Sequence, residues 1–478
     1  MLSSQPSAAT VRDRRRSSFL AATRSIIEFQ RMLEPIQPLQ RPDSLPVSFA
    51  QELFYYLDQS EGPSAAYHLP VVWRLRGALD AAALADALAA VVERHEALRT
   101  TLILERGHLT QRIAGHGAVS LQMEDLTPRS APEAQARTAI RDNVAGPFDL
   151  EAGPVLRGSL LRLADDHHLL VLVLHHIVGD GWSIGILMKE LSECYRATRE
   201  RRAPRLPRLP IQYGDYAVWE RNWLQGPLAE ELSAYWNERL RQQVPLLELP
   251  VGKARPPVRS GRGGRHGFWL PSTLSGRVGQ LCRREGVTGF VVLLATFATL
   301  LRRLSGEDDL VIGTVFANRN RNEVEDLIGC FVNTVALRVD LGGDPTFLEV
   351  IDRVYDAYLG AYLHQSLPFS RVVAQARPQR DPSRLPLVQV MFVLQNANPI
   401  PLKLPGIDAT PLPSERRTAR FDLSFAVAET EPRLRCRLEY SEDLFEHEQV
   451  VQLARQFELL LEDVTDDPDR RLSRLGEK

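Results

Sequence analysis

The feature that most constrains this chain is an apolar run that ends in two histidines and a glycine-containing turn. Residues 169–174 are all apolar and predict a buried strand, with His175 and His176 directly after them. Residues 179–181, Gly-Asp-Gly, predict a sharp turn. Ser183 is a suitable cap for the helix predicted to follow. The apolar positions of that helix are Ile184, Leu187, Leu191 and Tyr195.

The two histidines are predicted to point in opposite directions, because side chains alternate between the two faces of a strand. One ring can then pack inside the protein while the other faces a cleft. A metal site is disfavoured, since opposed rings do not share one ion and the chain has no HExxH or CxxC spacing. Taken alone, the pair fits a purely structural role as well as a role in acyl transfer.

Length, charge and cysteine content narrow the class of protein. The 478 residues suffice for two subdomains, and 58 basic against 60 acidic residues give a net charge of −2. This balance disfavours nucleic acid as the principal partner. The four cysteines form no disulfide framework, and no apolar run reaches the roughly 18 residues that span a bilayer. We therefore expect a cytoplasmic protein that does not enter a membrane.

The pattern of apolar residues divides the chain into three parts. Residues 1–44 are expected to form a linker or docking segment, with a short helix at 18–33. Residues 45–210 and 211–478 are expected to form two lobes, separated near the proline-rich stretch 203–210. Each lobe mixes strands and helices, which predicts an α/β fold. Strands are predicted at 71–75, 155–163, 168–176, 310–316, 331–337, 387–394, 421–428 and 434–440, and helices at 80–98, 288–302 and 446–464.

The pattern His-His-x-x-x-Asp-Gly at 175–181 resembles the active-site motif of the condensation domains of nonribosomal peptide synthetases. These domains belong to the superfamily that includes chloramphenicol acetyltransferase. The resemblance runs from about Leu45 to about Leu475, with further family motifs in the expected order. They are SFAQ at 48–51, RHEALRT at 94–100, YGDYAVW at 213–219, IGCFVNT at 328–334, HQSLPF at 364–369 and RDPSR at 380–384.

The resemblance implies a fold and a reaction. The fold would be two chloramphenicol-acetyltransferase-like α/β sandwich lobes arranged in a V, with the active site at the cleft. In the reaction, the amine of a downstream aminoacyl thioester attacks an upstream acyl or peptidyl thioester. Upstream and downstream peptidyl carrier proteins would be the partners, with an adenylation domain as a further neighbour. The substrates would be carried on phosphopantetheine, and the domain itself would bind no cofactor and no metal.

The resemblance also assigns roles to residues of the site. His176 is the expected central residue, either as a general base or as a group that positions the amine. His175 would shape its surroundings. Asp180 would form an internal ion pair with Arg319, or second with Arg321. The backbone N–H of Gly181 would contact the developing oxyanion.

Two tryptophans and one departure from the family pattern complete the predictions for the cleft. Trp182 and Trp219 are interpreted as packing residues rather than substrate contacts. The family usually has an arginine two positions after the glutamine of its first motif, where this chain has Leu53. The charge pairing that this arginine makes must therefore be absent or replaced.

The subtype and two competing functions remain as hypotheses. Residues 178–183 and 331–338 look more like domains that join two L-residues than domains that accept a D-residue donor. A free-standing acyltransferase with a soluble acceptor is one alternative, and a non-catalytic module that recruits carriers or tailoring enzymes is another. The chain has no carrier-type serine motif and no adenylation-type phosphate loop. Its substrates would therefore arrive on other polypeptides or on further domains.

Overall fold

The computed structural model describes residues 34–476 apart from 43, 63, 116–118, 241–245, 378–380, 396–399, 414–416 and 431. The helix predicted at 18–33 therefore lies outside the described residues. Residues 34–42 are described, and they lie against the body of the protein. The backbone carbonyl of Glu34 accepts a hydrogen bond from Trp219 Nε1 at 3.0 Å. Ile36 is buried, and Arg41 Nη1 lies 2.5 Å from a carboxylate oxygen of Asp215.

The first lobe contributes four strands to its main sheet, in the order β2-β7-β6-β5. A second, small sheet has the strand order β1-β4-β3. The strands predicted at 155–163 and 168–176 are confirmed within one residue. The helix predicted at 80–98 ends earlier, at Arg94. The elements of this lobe are β1 (Leu45–Pro46), α1 (Phe49–Glu61), β2 (His68–Arg76), α2 (Ala81–Arg94), β3 (Thr100–Glu105), β4 (His108–Ile113), β5 (Leu121–Asp125), α3 (Pro132–Ala145), β6 (Leu156–Ala164), β7 (His167–His175) and α4 (Gly181–Arg199).

Strand β7 explains why its sequence is a continuous apolar run. It pairs with β2 on one edge and β6 on the other, and apolar residues cover both of its faces. Leu170, Leu172 and Leu174 pack into one apolar cluster with residues of α2 and α4. Leu169, Val171 and Val173 pack into a second cluster on the opposite face, with residues of α3. The alternation predicted for this strand is therefore present in the packing.

The second lobe contains a six-stranded sheet of order β10-β9-β11-β13-β14-β8. All the strands and helices predicted for it are present. The elements are α5 (Tyr213–Trp223), α6 (Pro227–Leu240), β8 (Gly263–Trp269), α7 (Ser272–Glu285), α8 (Gly289–Ser305), β9 (Asp309–Phe316), α9 (Asn322–Glu325), β10 (Asn333–Asp340), α10 (Phe347–Leu363), α11 (Phe369–Ala376), β11 (Val390–Gln395), β12 (Asp408–Leu412), β13 (Leu423–Thr430), β14 (Arg433–Ser441) and α12 (His447–Asp466).

Helix α8 forms the centre of the second lobe. Every residue from 291 to 301 is buried, so the helix is apolar all round, as expected for a helix inside a large core. Among the described residues, no single helix is long and apolar enough to cross a bilayer. Helices α7 and α8 meet that criterion only as a pair, and they are bent by 109° at their junction.

Strand β12 leaves the second lobe and completes the sheet of the first. It pairs antiparallel with β2, with Asp408 opposite Arg76 and Leu412 opposite Val72. Leu402 and Leu404, just before it, are buried among first-lobe residues. The two lobes are therefore joined by a shared sheet as well as by the chain at 203–210. This crossing was not predicted from the sequence.

Candidate active site

The histidine motif lies where β7 meets α4. Strand β7 ends at His175, one residue earlier than predicted, and His176–Val178 form a 3₁₀ turn. Asp180 caps α4, because its side chain accepts the N–H of Ser183 at 2.8 Å. The prediction that Ser183 caps this helix is therefore wrong. Helix α4 begins at Gly181, and the Ser183 hydroxyl donates to Asp180 from the helix's third position.

His175 lies inside the first lobe. Its Nδ1 accepts the N–H of Ile177 at 3.1 Å, and its ring lies close to the rings of Tyr67, His68 and Phe148. Burial, with a smaller contribution from His68, lowers the pKa of His175 to about 3. The imidazole is therefore neutral at physiological pH. Its geometry fits the supporting role predicted for it.

His176 faces a cavity. Its ring is buried and stacks on Phe54 of α1, with 4.7 Å between ring centroids and 19° between planes. On the other side, its Nδ1 lies 3.6 Å from the Sγ of Cys330. Burial raises the pKa of the Cys330 thiol well above its ordinary value, so the thiol keeps its proton. The His176 ring is thus held between one residue from each lobe.

The cavity that His176 lines has a volume of about 1130 Å³. Its lining on the first-lobe side comes from α1, β2 and α4. On the second-lobe side it comes from β9, β11, β13, β14 and the segment 330–334. A space of this size exceeds that of most small-molecule sites and has room for two reacting groups. Within the described part of the chain, no group of three or more His, Cys, Asp or Glu residues is arranged to hold a metal ion.

Asp180 is fully buried, and both of its carboxylate oxygens accept hydrogen bonds. Oδ1 accepts the N–H and the hydroxyl of Ser183, each at 2.8 Å, and lies 3.2 Å from Arg319 Nη2. Oδ2 accepts the backbone N–H of Phe331 at 3.1 Å. Asp180 therefore ties the first lobe to the segment that precedes β10. Because these groups occupy its oxygens, its geometry is that of a structural anchor.

Arg319 has the position predicted for the partner of Asp180. Its Nη1 donates to the backbone carbonyls of Val324 and Leu327, at 2.6 and 2.7 Å. Its guanidinium carbon also lies 4.2 Å from the centroid of the Phe331 ring. Arg321, the second candidate, pairs with Glu323 at 2.9 Å instead. Asp180–Arg319 is thus a buried ion pair that joins the lobes.

Gly181 and Trp182 form the start of α4 at the cavity wall. A Cβ atom added to Gly181 would meet no atom within 4 Å, so the N-terminus of α4 is open to the cavity here. N–H groups in the first turn of a helix have no acceptor within the helix. Trp182 is 48% exposed on the cavity wall, which differs from the packing role predicted for it. Its Nε1 donates to the carbonyl of Glu325 in the other lobe.

Leu53 also lines the cavity, where the family pattern has an arginine. The wall contributed by α1 is therefore apolar, with Phe49 and Phe54 as neighbours in the lining. A cation reaches the cavity from the second lobe instead. The guanidinium of Arg420 lies 5.3 Å from the centroid of the Tyr67 ring and lines the same space.

A buried polar network behind Cys330 was not predicted from the sequence. The hydroxyl of Tyr213 donates to the carbonyl of Cys330 at 2.6 Å and contacts the Ser48 hydroxyl at 2.8 Å. Glu220, on the same helix, accepts the backbone N–H of Phe49 at 2.8 Å, and burial raises its pKa. The motif at 213–219 marked this helix as a family feature. Nothing in it distinguished Glu220 from an ordinary surface acid.

Comparison with known proteins agrees with this geometry. The family model described as "Condensation domain" matches residues 42–476. The chain belongs to the condensation-domain family. One of the subunits of the linear gramicidin synthase of Brevibacillus parabrevis is 38% identical over 447 residues. Those residues make up 92% of this chain but 6% of the relative. The condensation domain described here thus corresponds to a small part of a much longer synthetase.

Two solved structures are similar over nearly the whole chain. The X-domain from teicoplanin biosynthesis, in complex with OxyB, superimposes with a TM-score of 0.86 at 30% identity. The match covers 93% of this chain and 98% of the X-domain. The four-domain nonribosomal peptide synthetase AB3403 matches with a TM-score of 0.82 at 22% identity, over 94% of this chain and 35% of that chain. The expected two-lobe α/β condensation-domain fold is therefore confirmed.

Proposed function

We propose that this domain forms a peptide bond between two carrier-bound substrates. The donor is an upstream acyl or peptidyl thioester, and the acceptor is the amine of a downstream aminoacyl thioester. One observation carries the proposal: the His176 ring lines a cavity whose walls come from both lobes. A ring in that position can meet two substrates that enter from different sides. Membership of the condensation-domain family supports the same class of reaction.

The first step of this reaction needs little proton abstraction by the protein. An α-amino group has a pKa near 8, so about a tenth of it is neutral and nucleophilic at pH 7. When the amine attacks the thioester carbonyl, a C–N bond forms. The C–S bond then breaks, and the proton lost by nitrogen ends on the departing sulfur. Positioning both tethered substrates contributes strongly, since effective molarities reach about 10⁵ M or higher.

His176 has two roles open to it in this reaction. As a general base it takes the proton from nitrogen while the tetrahedral adduct forms, a contribution of about 10²–10⁴-fold. As a positioning group it holds the amine and stabilises the adduct by hydrogen bonding. The N–H of Gly181, at the positive end of α4, is suited to stabilise the oxyanion. His175 and the Asp180–Arg319 pair support these two groups without contacting the reacting atoms.

The finer features of the proposal follow the family resemblance. The substrates are carried on the phosphopantetheine of peptidyl carrier proteins, and the domain needs no bound cofactor of its own. Residues 178–183 and 331–338 favour two L-configured substrates. An adjacent adenylation domain and a cytoplasmic location complete the proposed setting.

A second candidate is a recruitment module that docks carriers or tailoring enzymes without catalysis. The observation that favours it is the similarity to the X-domain solved with OxyB, which is closer in sequence than the four-domain synthetase. The His176 side chain at the cavity argues for catalysis instead. A free-standing acyltransferase with a soluble acceptor remains a further alternative.

A reconstitution separates these functions. An upstream carrier is loaded with an aminoacyl group, and either a second loaded carrier or a free amine is supplied. Products are followed by intact-protein mass. Dipeptide that forms only on the second carrier supports condensation, and equal use of a free amine supports the acyltransferase. Carrier binding with no transfer for any pair supports the recruitment module.

His176→Ala is the matched variant for this reconstitution. We expect it to bind the carriers like the parent protein, because the His176 ring is buried and not on the outer surface. Turnover should fall by about 10²–10⁴-fold, because general base catalysis contributes that much. The thermal unfolding midpoint of the variant checks that the fold is intact. Turnover equal to that of the parent would remove His176 from the mechanism.

A further inference from the structure

Arg437, which has no bonded partner within the described part of the chain, lies in the second-lobe wall of the cavity. Arg437 is on β14, and its side chain is exposed to the cavity that it lines. Among the described residues, none offers it a hydrogen-bond acceptor or ion-pair partner at bonding distance. The nearest acid along the strand, Glu439, is already engaged, because Arg265 Nη2 lies 2.9 Å from its carboxylate.

The electrostatic surroundings of Arg437 are unfavourable for a charge. Burial lowers its pKa, Arg265 and Arg435 lower it further, and Glu439 acts in the opposite direction. A guanidinium nevertheless stays protonated in proteins. The protein therefore holds a partly desolvated positive charge near Arg435 and near the Arg265–Glu439 ion pair. An anion bound at this point would relieve both the desolvation and the repulsion.

The space around the guanidinium is open. On the two neighbouring strands, the residues paired with Arg437 are Ala426 of β13 and Gly267 of β8. A Cβ atom added to Gly267 would meet only a backbone oxygen, at 3.9 Å. Small residues on both sides leave room for a ligand group beside the guanidinium.

A row of cavity-lining side chains leads from the segment after Cys330 to this arginine. The row crosses the second-lobe sheet and begins four residues after Cys330, which contacts His176. The residues of the row lie opposite one another on neighbouring strands. Between the parallel strands β11 and β9, Met391 lies opposite Gly313, so Val393 lies opposite Val315 two residues further on. Four strand spacings of about 4.8 Å make the row roughly 19 Å long. Its members are Thr334, Val315, Val393, Ala426 and Arg437.

We propose that Arg437 is an anion-binding subsite of the cavity. It binds a carboxylate or phosphate group that a substrate carries well away from its reacting carbonyl. The inference rests on the proposed function. A guanidinium binds carboxylate and phosphate alike through paired N–H donors. A group bound at the far end of a row roughly 19 Å long is either the phosphate of the carrier arm or a carboxylate at least about five or six residues along a peptidyl chain. The apolar row between the two ends accommodates the uncharged part.

Four donor thioesters distinguish binding of the carrier-arm phosphate from binding of a peptidyl carboxylate. The acyl group is a hexapeptidyl thioester with either an acidic or an amide side chain at its far residue. The thiol is either pantetheine or 4′-phosphopantetheine, which differ only in the phosphate. Turnover with a loaded acceptor is measured for the parent protein and for Arg437→Gln. A charge-assisted pair predicts a loss of about 10- to 100-fold in kcat/KM for donors that carry the recognised group.

The donors for which Arg437→Gln loses kcat/KM identify the group that the arginine binds. Loss with every phosphate-bearing donor assigns the subsite to the carrier arm, and loss with every acidic peptide assigns it to the peptidyl chain. Arg435→Gln is the matched control, because it removes the same charge from the same strand at a position outside the cavity lining. Arg437→Lys should recover part of the loss. If Arg437→Gln behaves like Arg435→Gln with all four donors, the inference is overturned.

A binding measurement separates this inference from the proposed reaction. Titration calorimetry compares 4′-phosphopantetheine with pantetheine, and the acidic with the amide hexapeptide, on parent protein and Arg437→Gln. A preference for the anionic ligand that disappears in the variant supports the subsite even if no peptide bond is formed. Absence of any preference in an actively condensing parent protein overturns the subsite and leaves the proposed function standing.

Discussion

His175 and His176 are neighbours in sequence, yet they occupy two different environments. His175 is enclosed by aromatic rings of the first lobe, and its pKa is lowered to about 3. His176 begins the turn after β7, contacts Cys330 of the other lobe and lines the cavity. One position along the chain separates a neutral structural ring from a ring open to substrates. The difference comes from the strand end and from the Asp180–Arg319 anchor that holds the turn.

Breaking the Asp180–Arg319 ion pair should have the largest effect on the stability of the turn that carries the two histidines. Asp180→Ala leaves Arg319 buried without its carboxylate and removes the cap of α4. We expect the free energy of unfolding to fall by about 3–5 kcal/mol, since breaking one side of a buried ion pair leaves an uncompensated charge. Urea unfolding monitored by tryptophan fluorescence measures the loss.

Arg321→Ala is the matched control for this experiment, because Arg321 pairs with Glu323 and not with Asp180. It should change the free energy of unfolding by less than about 1 kcal/mol. Equal losses for Asp180→Ala and Arg321→Ala would mean that the Asp180–Arg319 pair contributes no more to stability than the Arg321–Glu323 pair.

The pH dependence of stability tests the environment assigned to His175. Its pKa is about 3 in the folded protein and about 6.5 when unfolded, so between these values only the unfolded chain binds the proton. Stability is therefore lost as pH falls below about 6.5. From pH 7.0 to pH 5.5 this single group should cost about 1 kcal/mol.

His175→Asn isolates that contribution. The asparagine oxygen can still accept the N–H of Ile177, whereas the titrating ring is gone. Urea unfolding at pH 7.0 and 5.5 should show a loss smaller by about 1 kcal/mol in the variant than in the parent. Other titrating groups act equally in both proteins and cancel. An identical pH dependence in the two proteins would show that His175 is not buried in the neutral form.

Much of the fold could be predicted from the sequence, and the exception has a physical reason. Strand β7 and helix α8 are long apolar segments buried on all sides, so their sequences identify them. Strand β12 is an edge strand of sequence Asp-Ala-Thr-Pro-Leu with mostly exposed residues. Its position depends on pairing with β2, more than 330 residues earlier in the chain, and no local pattern contains that information.

The sequence likewise predicted the site residues of one motif but not those that reach the site through tertiary packing. His176, Asp180 and Gly181 lie in one short motif, and the structure places Arg319 next to Asp180, the partner that the family resemblance implied. Cys330, Phe54 and Glu220 come to the site through tertiary packing. Each is an ordinary apolar, thiol or acidic residue in its own segment. Only the folded chain shows that two of them contact the His176 ring.

Cys330 is the neighbour that most directly distinguishes His176 from His175, and its replacement should have a small effect. A hydrogen bond between the thiol and Nδ1 selects which ring nitrogen carries the proton. Cys330→Ala removes this selection. With a net hydrogen-bond contribution of about 0.5–1.5 kcal/mol, we expect kcat for condensation to fall by about 2- to 10-fold, with KM unchanged.

Cys330→Ser separates a positioning role from simple packing. The serine hydroxyl has nearly the same size and can still bond to Nδ1, so kcat should recover toward the parent value. The ¹⁵N chemical shifts of the His176 ring should show the same tautomer in the parent and in Cys330→Ser but a mixture in Cys330→Ala. Cys194→Ala, a buried cysteine of α4 away from the ring, is the control for loss of sulfur volume. A fall in kcat of the same size in all three variants would assign Cys330 to packing alone, and the contrast between the two histidines would then rest on the position of the strand end.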